Sequence, residues 1–240
     1  MKNYEDNYWA QRSKGYNRTN WVTNSSLMDA YLSMLPTYDG IENVLEVGIG
    51  TGVVASRMLK KVVKVEGIDK SEDMVKSITN PQIHAIIGDA HVLPYKDNHF
   101  DLIYMRNVLH YLDNPVVAFK EIRRCLKPHG YFLFSQVVPP EDFITEEYDF
   151  LIGRNIHYPT QEEITGWMKD LHIKATDHYI LSSQSILNWL NNTCNNEKEK
   201  EEIINRHHET SDLYKSLVNF SASNNDIFVD VKHFMILAVK

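Results

Sequence analysis

Short apolar runs alternate with longer amphipathic segments through the central part of the chain. The apolar runs predict buried strands at residues 44–47, 62–68, 83–87, 100–105 and 131–137. The segments between them have helical spacing and predict helices at residues 53–61, 71–79 and 115–126. Strands that alternate with helices of this length are typical of an α/β domain with a largely parallel sheet.

The two ends of the chain depart from this alternation. Near the start, Leu27–Leu35 predicts a helix that Pro36 ends. After residue 137 the pattern predicts an irregular segment, a helix, a strand, a long helix and a final strand. These lie at residues 139–159, from Thr160, 173–181, 197–220 and 228–239.

Local signals refine two of these elements. Thr160 and Glu163 have the spacing of a capping box, which favours a helix start. On the long helix, Ile203, His207, Tyr214 and Leu217 lie near one stripe. The His207–His208 pair lacks a third metal ligand, so we interpret it as a surface feature.

The first strand runs directly into a glycine-rich turn. Glycines at positions 48, 50 and 52 give the spacing G-x-G-x-G, and they permit positive φ and a close approach of the backbone to a ligand. A dinucleotide fingerprint needs its third glycine one residue later. Glu46, before the turn, would repel a pyrophosphate but attract an amine or a sulfonium. This spacing argues against a dehydrogenase.

These residues resemble the first motif of the class I S-adenosylmethionine-dependent methyltransferases, in particular their small-molecule "type 11" group. The acidic residue and the glycines of that motif match Glu46–Gly52 without a gap. Further matches are acidic residues at the next two strand ends, Asp69 and Asp89, and the F-D-x-[IV] pattern at Phe100–Ile103. At Leu126–Gly130 the chain has L-K-P-H-G, where the family has L-K-P-G-G. The resemblance is specific over residues 44–137 and generic elsewhere.

The resemblance implies an α/β fold with a Rossmann-like, seven-stranded, mostly parallel sheet, an antiparallel last strand and helices on both faces. It also implies an N-terminal helical lid and a helical insertion before the last strand. We expect a single methyltransferase domain over residues 1–240. Its parts would be an N-terminal helical cap at 1–40, a cofactor-binding core at 41–137, and the substrate-side loop, helices and last strands at 138–240.

The implied cofactor is S-adenosyl-L-methionine, with S-adenosyl-L-homocysteine as product. Asp69 lies about 20 residues past the turn, which suits hydrogen bonds to a ribose diol; Ser71 is the better candidate to cap the following helix. In the family an acidic residue such as Asp89 accepts the adenine amino group and the next amide, of Ala90, reaches a ring nitrogen. Met74 stands where the adenine ring would lie, although a core role is open. The expected cofactor residues are Glu46, Gly48, Gly50, Thr51, Gly52, Asp69, Lys70, Met74, Asp89, Ala90, His91, Arg106 and Asn107.

Methyl transfer from a sulfonium depends mainly on holding the reacting atoms in line, and we expect no metal. An acceptor that loses a proton needs a base, for which His110, His157 and Tyr8 are candidates. The resemblance places Arg106, Asn107 and His110 near the methionine part of the cofactor. We favour His110 as the base, and a packing or cofactor-shaping role for it stays open.

Two further segments are candidates for the substrate side. The aromatic N-terminal segment, with Tyr4, Tyr8 and Arg12 on one helix side, predicts either a lid or a helix packed on the domain. The cluster Arg154–Tyr158 predicts either a pocket wall or a surface loop.

Composition limits the class of methyl acceptor and the cellular location that we expect. The net charge of −7 and the pI of about 5.9 argue against a nucleic-acid substrate. Cys125 and Cys194 are far apart and predict core packing, not a disulfide or a zinc site. The chain shows neither a signal peptide nor an apolar run of about 18 residues, so we expect a cytoplasmic protein without a membrane partner.

We therefore expect a small-molecule acceptor and a monomer or homodimer. The alternatives are a macromolecular acceptor, either tRNA or an acyl carrier protein, and a non-catalytic binding module. A non-catalytic module would be expected to carry damaged cofactor motifs, whereas here they are complete.

Overall fold

The computed structural model describes residues 9, 12–13, 15–153, 156–194, 196–223 and 226–240. Tyr4, Tyr8, Arg154 and Asn155 lie outside the described residues. The strands in this part of the chain are β1 Val44–Val47, β2 Val65–Asp69, β3 Ile83–Ile87, β4 Phe100–Arg106, β5 Leu126–Val137, β6 His172–Ser185, β7 Ser221–Ser223 and β8 Asp226–Val239.

Helices fill most of the connections between these strands. The α-helices are α1 Asn20–Thr23, α2 Ser25–Ser33, α3 Val53–Met58, α4 Glu72–Lys76, α5 Pro115–Cys125, α6 Thr145–Ile152, α7 Gln161–Trp167, α8 Ile186–Thr193, α9 Glu197–Glu209 and α10 Asp212–Leu217. Short 3-10 turns lie at Tyr16–Arg18, Leu109–Tyr111 and Asp142–Ile144.

One sheet with the strand order β3-β2-β1-β4-β5-β8-β6 organises the protein. Strands β1 to β5 pair in parallel, and β8 runs antiparallel to both β5 and β6. This arrangement confirms the predicted Rossmann-like fold with an antiparallel last strand. The described sheet has eight strands instead of seven because the three-residue β7 pairs with the start of β8.

Both faces of the sheet are covered. On one face, Phe119 and Ile122 of α5 pack with Ile164 of α7 against the central strands. On the other face, α2 and α3 cover β1, β2 and β4. The buried Tyr31 hydroxyl of α2 shares its one hydrogen between the carbonyls of Leu133 (2.9 Å) and Met105 (3.2 Å). This contact fixes the helix on the sheet.

The C-terminal helices form a separate layer beyond the ends of β5, β6 and β8. Side chains of α6, α8, α9 and α10 pack together with Val229 and Val231 of β8. The capping box predicted at Thr160 and Glu163 is present at the start of α7. This layer is the helical insertion that the sequence predicts before the last strand.

Two predicted elements were wrong in detail. Residues 139–159 are not irregular throughout, because α6 buries Tyr148, Leu151 and Ile152. The long helix predicted at 197–220 is two helices. The chain is extended at Thr210, and the Ser211 hydroxyl accepts the Tyr214 amide hydrogen bond (3.0 Å) to begin a new helix.

The L-K-P-H-G turn at residues 126–130, which lies in the first part of β5, contains a residue in a left-handed conformation. His129 has φ of 65° and an exposed side chain, and it replaces the first glycine of the family's L-K-P-G-G turn. Left-handed backbone costs an L-residue roughly 1–2 kcal/mol. The substitution of His for Gly therefore strains this turn.

We expect His129→Gly to raise the free energy of unfolding by about 0.5–1 kcal/mol, because glycine removes the strain but gains unfolded-state entropy. Urea unfolding monitored by tryptophan fluorescence measures this change. His172→Gly, at an exposed β6 position outside the left-handed region, should lower stability instead. An unchanged or lower stability for His129→Gly would contradict the account.

Candidate functional site

The glycine turn after β1 has the backbone conformation that its sequence predicts. Gly48, Gly50 and Gly52 have φ values of 72°, 53° and 76°. A Cβ atom at Gly48 would lie 2.2 Å from Cγ2 of Val108. The amide of Gly48 donates to the carbonyl of Ile68 at 2.8 Å, so the turn is also tied to β2. Only glycine fits the first position without a shift of the neighbouring segment.

Asp69 ends β2 beside this turn, and two backbone amides hold its carboxylate. Gly50 donates to Oδ2 at 2.7 Å and Ser71 donates to Oδ1 at 2.9 Å. Burial raises the pKa of Asp69, while these amide hydrogen bonds oppose the rise. Because each carboxylate oxygen has further acceptor capacity, Asp69 can still accept hydrogen bonds from a ligand. Ser71 caps α4, as predicted.

Glu46 lies below the turn and is only 3% exposed. Its carboxyl accepts a hydrogen bond from the Tyr104 hydroxyl at 2.8 Å. Burial raises the pKa of Glu46 to about 8, although the Tyr104 hydrogen bond and the charge of Arg106 lower it. At neutral pH this carboxyl is therefore mostly protonated, and a cation brought close to it would favour ionisation.

The next acidic position, Asp89, lies two residues after the end of β3. Asp89 accepts a hydrogen bond from the His91 amide at 2.9 Å and contacts its ring. Burial raises the pKa of Asp89, but these His91 contacts outweigh it and hold the pKa below its usual value. Ala90 is partly buried against the core and Met74 is 1% exposed, whereas Lys70 is exposed.

The end of β4 anchors the N-terminal helices. The guanidinium of Arg106 donates to the carbonyls of Trp21 (2.7 Å) and Val22 (3.1 Å) in α1. Asn107 has φ of 55°, and its side-chain oxygen accepts the Val137 amide hydrogen bond at 3.0 Å. These two residues therefore join the strand ends to the segment that covers them.

Tyr16 and Asn17 of the N-terminal segment lie over the glycine turn. Thr51 donates its hydroxyl hydrogen bond to Asn17 at 2.7 Å. The Tyr16 ring reaches to 4.0 Å from where a Cβ of Gly50 would be. Arg12 donates to the Tyr111 hydroxyl at 2.8 Å and lies 5.1 Å from the Tyr16 ring centre. This segment closes one side of the site.

A cavity of about 60 Å³ lies between this segment, the ends of β4 and β5, and the C-terminal helices. Its walls combine aromatic and aliphatic side chains with three polar or charged ones, Arg12, Asn107 and Asp230. The aromatic and imidazole side chains that line it are Tyr16, Trp21, His110, Tyr111, Tyr148, Tyr158, Trp189, His207 and Tyr214. Asn107 and Tyr16 belong both to this cavity and to the edge that carries the glycine turn, so the two features adjoin.

The three candidate bases have different positions. His110 lines the cavity and stacks on Tyr158 with ring centres 4.7 Å apart. His157 is not among the lining residues; it forms ion pairs with Asp149 (2.7 Å) and Glu163 (3.1 Å) at an exposed position. Tyr8 lies outside the described residues. The neighbours of His157, Ile156 and Tyr158, do line the cavity, which favours the pocket-wall interpretation of that segment.

The interpretation of His207 as a surface residue was wrong. His207 is fully buried and lines the cavity, whereas His208 is exposed. The spacing of four residues from the buried Ile203 on α9 was the available signal, because it places both side chains on one helix face. His233 of β8 is also fully buried, and burial lowers its pKa to about 3; no sequence pattern marked it.

The fold and the strand-end carboxylates are typical of class I methyltransferases, and comparison with known proteins supports this class. Residues 45–134 match the sequence model of the "methyltransferase domain" family. The matched stretch is therefore a methyltransferase domain of the type 11 group, and together with relatives named as methyltransferases it supports an S-adenosylmethionine-dependent methyltransferase. This confirms the resemblance read from Glu46–Gly52.

Individual relatives are distant. An uncharacterised protein of Methanocaldococcus jannaschii is 27% identical over 182 residues, which cover 72% of this chain and 84% of that protein. A demethylmenaquinone methyltransferase of Staphylococcus aureus is 28% identical over 190 residues, covering 63% of this chain and 77% of the relative. For other curated relatives the match spans as little as 33% of their length.

Among solved structures, a putative methyltransferase from Bacillus halodurans superposes with a TM-score of 0.79 at 19% identity. The match covers 90% of this chain and 99% of that structure. Similarity at this level of identity shows a shared fold.

The described residues lack two further features. No described helix is both long enough and apolar enough to cross a membrane. Within the same residues, His, Cys, Asp and Glu side chains form no group of three or more that could hold a metal ion.

We expect the buried carboxyl of Glu46 to give stability a measurable pH dependence. Between pH 4.5 and about 8 the folded protein holds a proton that the unfolded chain has lost. The stabilisation that this group contributes is therefore greatest below pH 4.5. It falls as the pH rises toward about 8, by at most about 1.4 kcal/mol per pH unit. Glu46→Gln should remove this fall.

Urea unfolding of both proteins at several pH values between about 5 and 8 measures the difference in slope. Comparison with wild type isolates Glu46, because the buried histidines titrate in both proteins. Glu201→Gln, at an exposed position of α9, should keep the wild-type slope. Parallel curves for wild type and Glu46→Gln would show that Glu46 is already ionised in the folded protein.

Proposed function

We propose that this enzyme transfers a methyl group from S-adenosyl-L-methionine to a small-molecule acceptor bound in the aromatic cavity. The observation that carries the proposal is the junction of two features. Asn107 and Tyr16 line the cavity and also lie at the edge of the sheet that carries the glycine turn. A cofactor on that edge would present its methyl group toward the cavity.

The residues present fit this cofactor. Asp69 is oriented by two amides at a strand end, which suits the ribose hydroxyls, and Asp89 with the Ala90 amide suits the adenine. Glu46 supplies a buried carboxyl that a nearby cation would ionise. Gly48, Gly50, Gly52 and Thr51 allow close backbone approach, and Lys70, Met74, His91, Arg106 and Asn107 complete the proposed binding set.

Bound S-adenosylmethionine supplies an electrophilic methyl group on a sulfonium. The task of the protein is then to hold the acceptor's nucleophilic atom in line with that group and to exclude water. Aromatic walls such as Tyr16, Tyr111 and Tyr158 suit both tasks, since they enclose the acceptor and present π faces to positive charge.

The geometry of His110 favours a hydrogen-bond donor over a base. Gln136 is oriented by the Leu109 amide, which donates to its side-chain oxygen at 3.3 Å. The Gln136 amide nitrogen then donates to Nδ1 of His110 at 2.7 Å. A neutral His110 must therefore carry its proton on Nε2, and burial lowers its pKa to about 3. We propose that His110 orients the acceptor through this N–H.

A small acceptor is supported by enclosure and charge. The cavity lies beneath the N-terminal segment and the C-terminal helices, so tRNA or a carrier protein would have to insert a flexible arm. The net charge of −7 disfavours nucleic acid. A similar protein is named for methylation of demethylmenaquinone, a small molecule, and a solved structure of similar fold contains S-adenosylhomocysteine. The division into cap, core and substrate-side region at residues 40 and 137 belongs to this proposal.

Calorimetric titration with S-adenosylhomocysteine tests the cofactor site. We expect micromolar binding by the intact protein and none of NAD. Asp69→Ala should weaken binding by roughly 10–100-fold, because hydrogen bonds to a charged group are lost. Gly50→Val should abolish it, since a β-branched residue does not adopt positive φ readily.

Asp73→Ala, at an exposed position on α4, is the matched control and should bind normally. Circular dichroism of each variant separates lost binding from lost folding. Failure of the intact protein to bind S-adenosylhomocysteine, or tight binding of NAD, would overturn the proposed function.

A further inference from the structure

The cavity contains a hydrogen-bond acceptor that the protein leaves without a donor. Nδ1 of His207 contacts the carbonyl oxygen of Ile203 at 2.7 Å. Because a carbonyl oxygen can only accept, Nδ1 must carry the imidazole proton. Burial lowers the pKa of His207, so the ring is neutral at physiological pH. Nε2 therefore presents a lone pair.

No described group donates a hydrogen bond to this nitrogen. Nε2 of His207 is buried, has no partner, and belongs to a fully buried side chain that lines the cavity. Buried polar atoms in folded proteins are nearly always hydrogen-bonded. A donor that enters the cavity would satisfy it.

A continuous row of rings joins His207 to His110. The ring of His207 lies 6.4 Å from Tyr214, which lies 6.5 Å from Tyr148. Tyr148 lies 5.4 Å from Tyr158, and Tyr158 stacks on His110 at 4.7 Å. The cavity thus has an N–H donor of His110 beside Asn107, at the edge proposed for the cofactor, and an acceptor of His207 on a different wall.

We infer that His207 is a specificity-determining residue, and that the methyl acceptor is a planar molecule with a hydroxyl or N–H group that donates to Nε2 of His207. This inference rests on the proposed function, because it takes the cavity to be the acceptor site. The aromatic walls select a flat apolar body. The lone pair of His207 selects the donor.

Binding of two matched pairs of compounds tests this inference on the full chain with saturating S-adenosylhomocysteine. Phenol and indole carry a donor, whereas anisole and 1-methylindole have it blocked. Quenching of tryptophan fluorescence reports binding, because Trp21 and Trp189 line the cavity. Wild type should bind each donor compound at least about tenfold more tightly than its blocked partner.

His207→Phe keeps an aromatic ring but removes the lone pair, so the discrimination should fall to within about twofold. His208→Phe, on the exposed neighbouring residue, is the matched control and should discriminate as wild type does. The imidazole nitrogen NMR signal of His207 adds a readout independent of activity. It should report an unprotonated Nε2 in the free protein and shift with phenol but not with anisole.

The possible outcomes separate this inference from the proposed function. Equal binding of donor and blocked compounds, or no binding of either, with normal S-adenosylhomocysteine affinity would overturn the role of His207 alone. Discrimination that His207→Phe does not change would also overturn it. The protein could instead fail to bind S-adenosylhomocysteine and still discriminate between the compounds through His207. That result would support the His207 binding site and refute the methyltransferase proposal.

Discussion

The hydrogen bond from the Gly50 amide to the Asp69 carboxylate holds the proposed cofactor edge of the sheet together, and the rest of the site depends on that edge. It joins the turn after β1 to the end of β2 at 2.7 Å. The turn can reach Asp69 only because its glycines adopt positive φ and because Gly48 leaves room for Val108. A parallel sheet brings the ends of neighbouring strands to one edge, and this interaction turns that edge into an oriented set of carboxylates and amides.

The same constraint explains the position of the cavity. Arg106 ends β4 and Asn107 follows it, and Arg106 holds α1 on the strand ends by donating to the carbonyls of Trp21 and Val22. The N-terminal segment therefore crosses the edge of the sheet at a fixed place. The C-terminal helices close the opposite side with His207 and Tyr214. The aromatic enclosure thus depends on side chains from both ends of the chain, which the sheet edge brings together.

The sequence predicted the central part of the fold well because its signals are local. Several predicted features depend on neighbours within a few residues. They are the end of β2 at Asp69, the position of Asp89 two residues after β3, the capping box at Thr160 and the start of α5 at Pro115. The resemblance supplied the order of these elements and the expected cofactor residues. The turn at Gly48–Gly52 was predicted both from its glycine spacing and from the family resemblance, and its backbone has the expected positive φ values.

The acceptor side was harder to predict because its chemistry comes from long-range contacts. The spacing from Ile203 indicates that His207 is buried, but nothing local shows that it faces a cavity, or that Gln136 fixes the proton of His110 on Nε2. Likewise, the break at Thr210 arises partly because the Glu147 carboxylate of α6 accepts hydrogen bonds from Thr210 and Ser211. The left-handed backbone at His129 is visible in the sequence only as a departure from the family's glycine.

A crystal structure of the protein with S-adenosylhomocysteine tests the central claim most directly. The account predicts that the ribose hydroxyls lie within hydrogen-bond distance of Asp69, that the adenine lies beside Asp89 and Ala90, and that the sulfur faces the cavity near Asn107. A ligand bound elsewhere, or bound with its sulfur directed away from the aromatic cavity, would contradict the account.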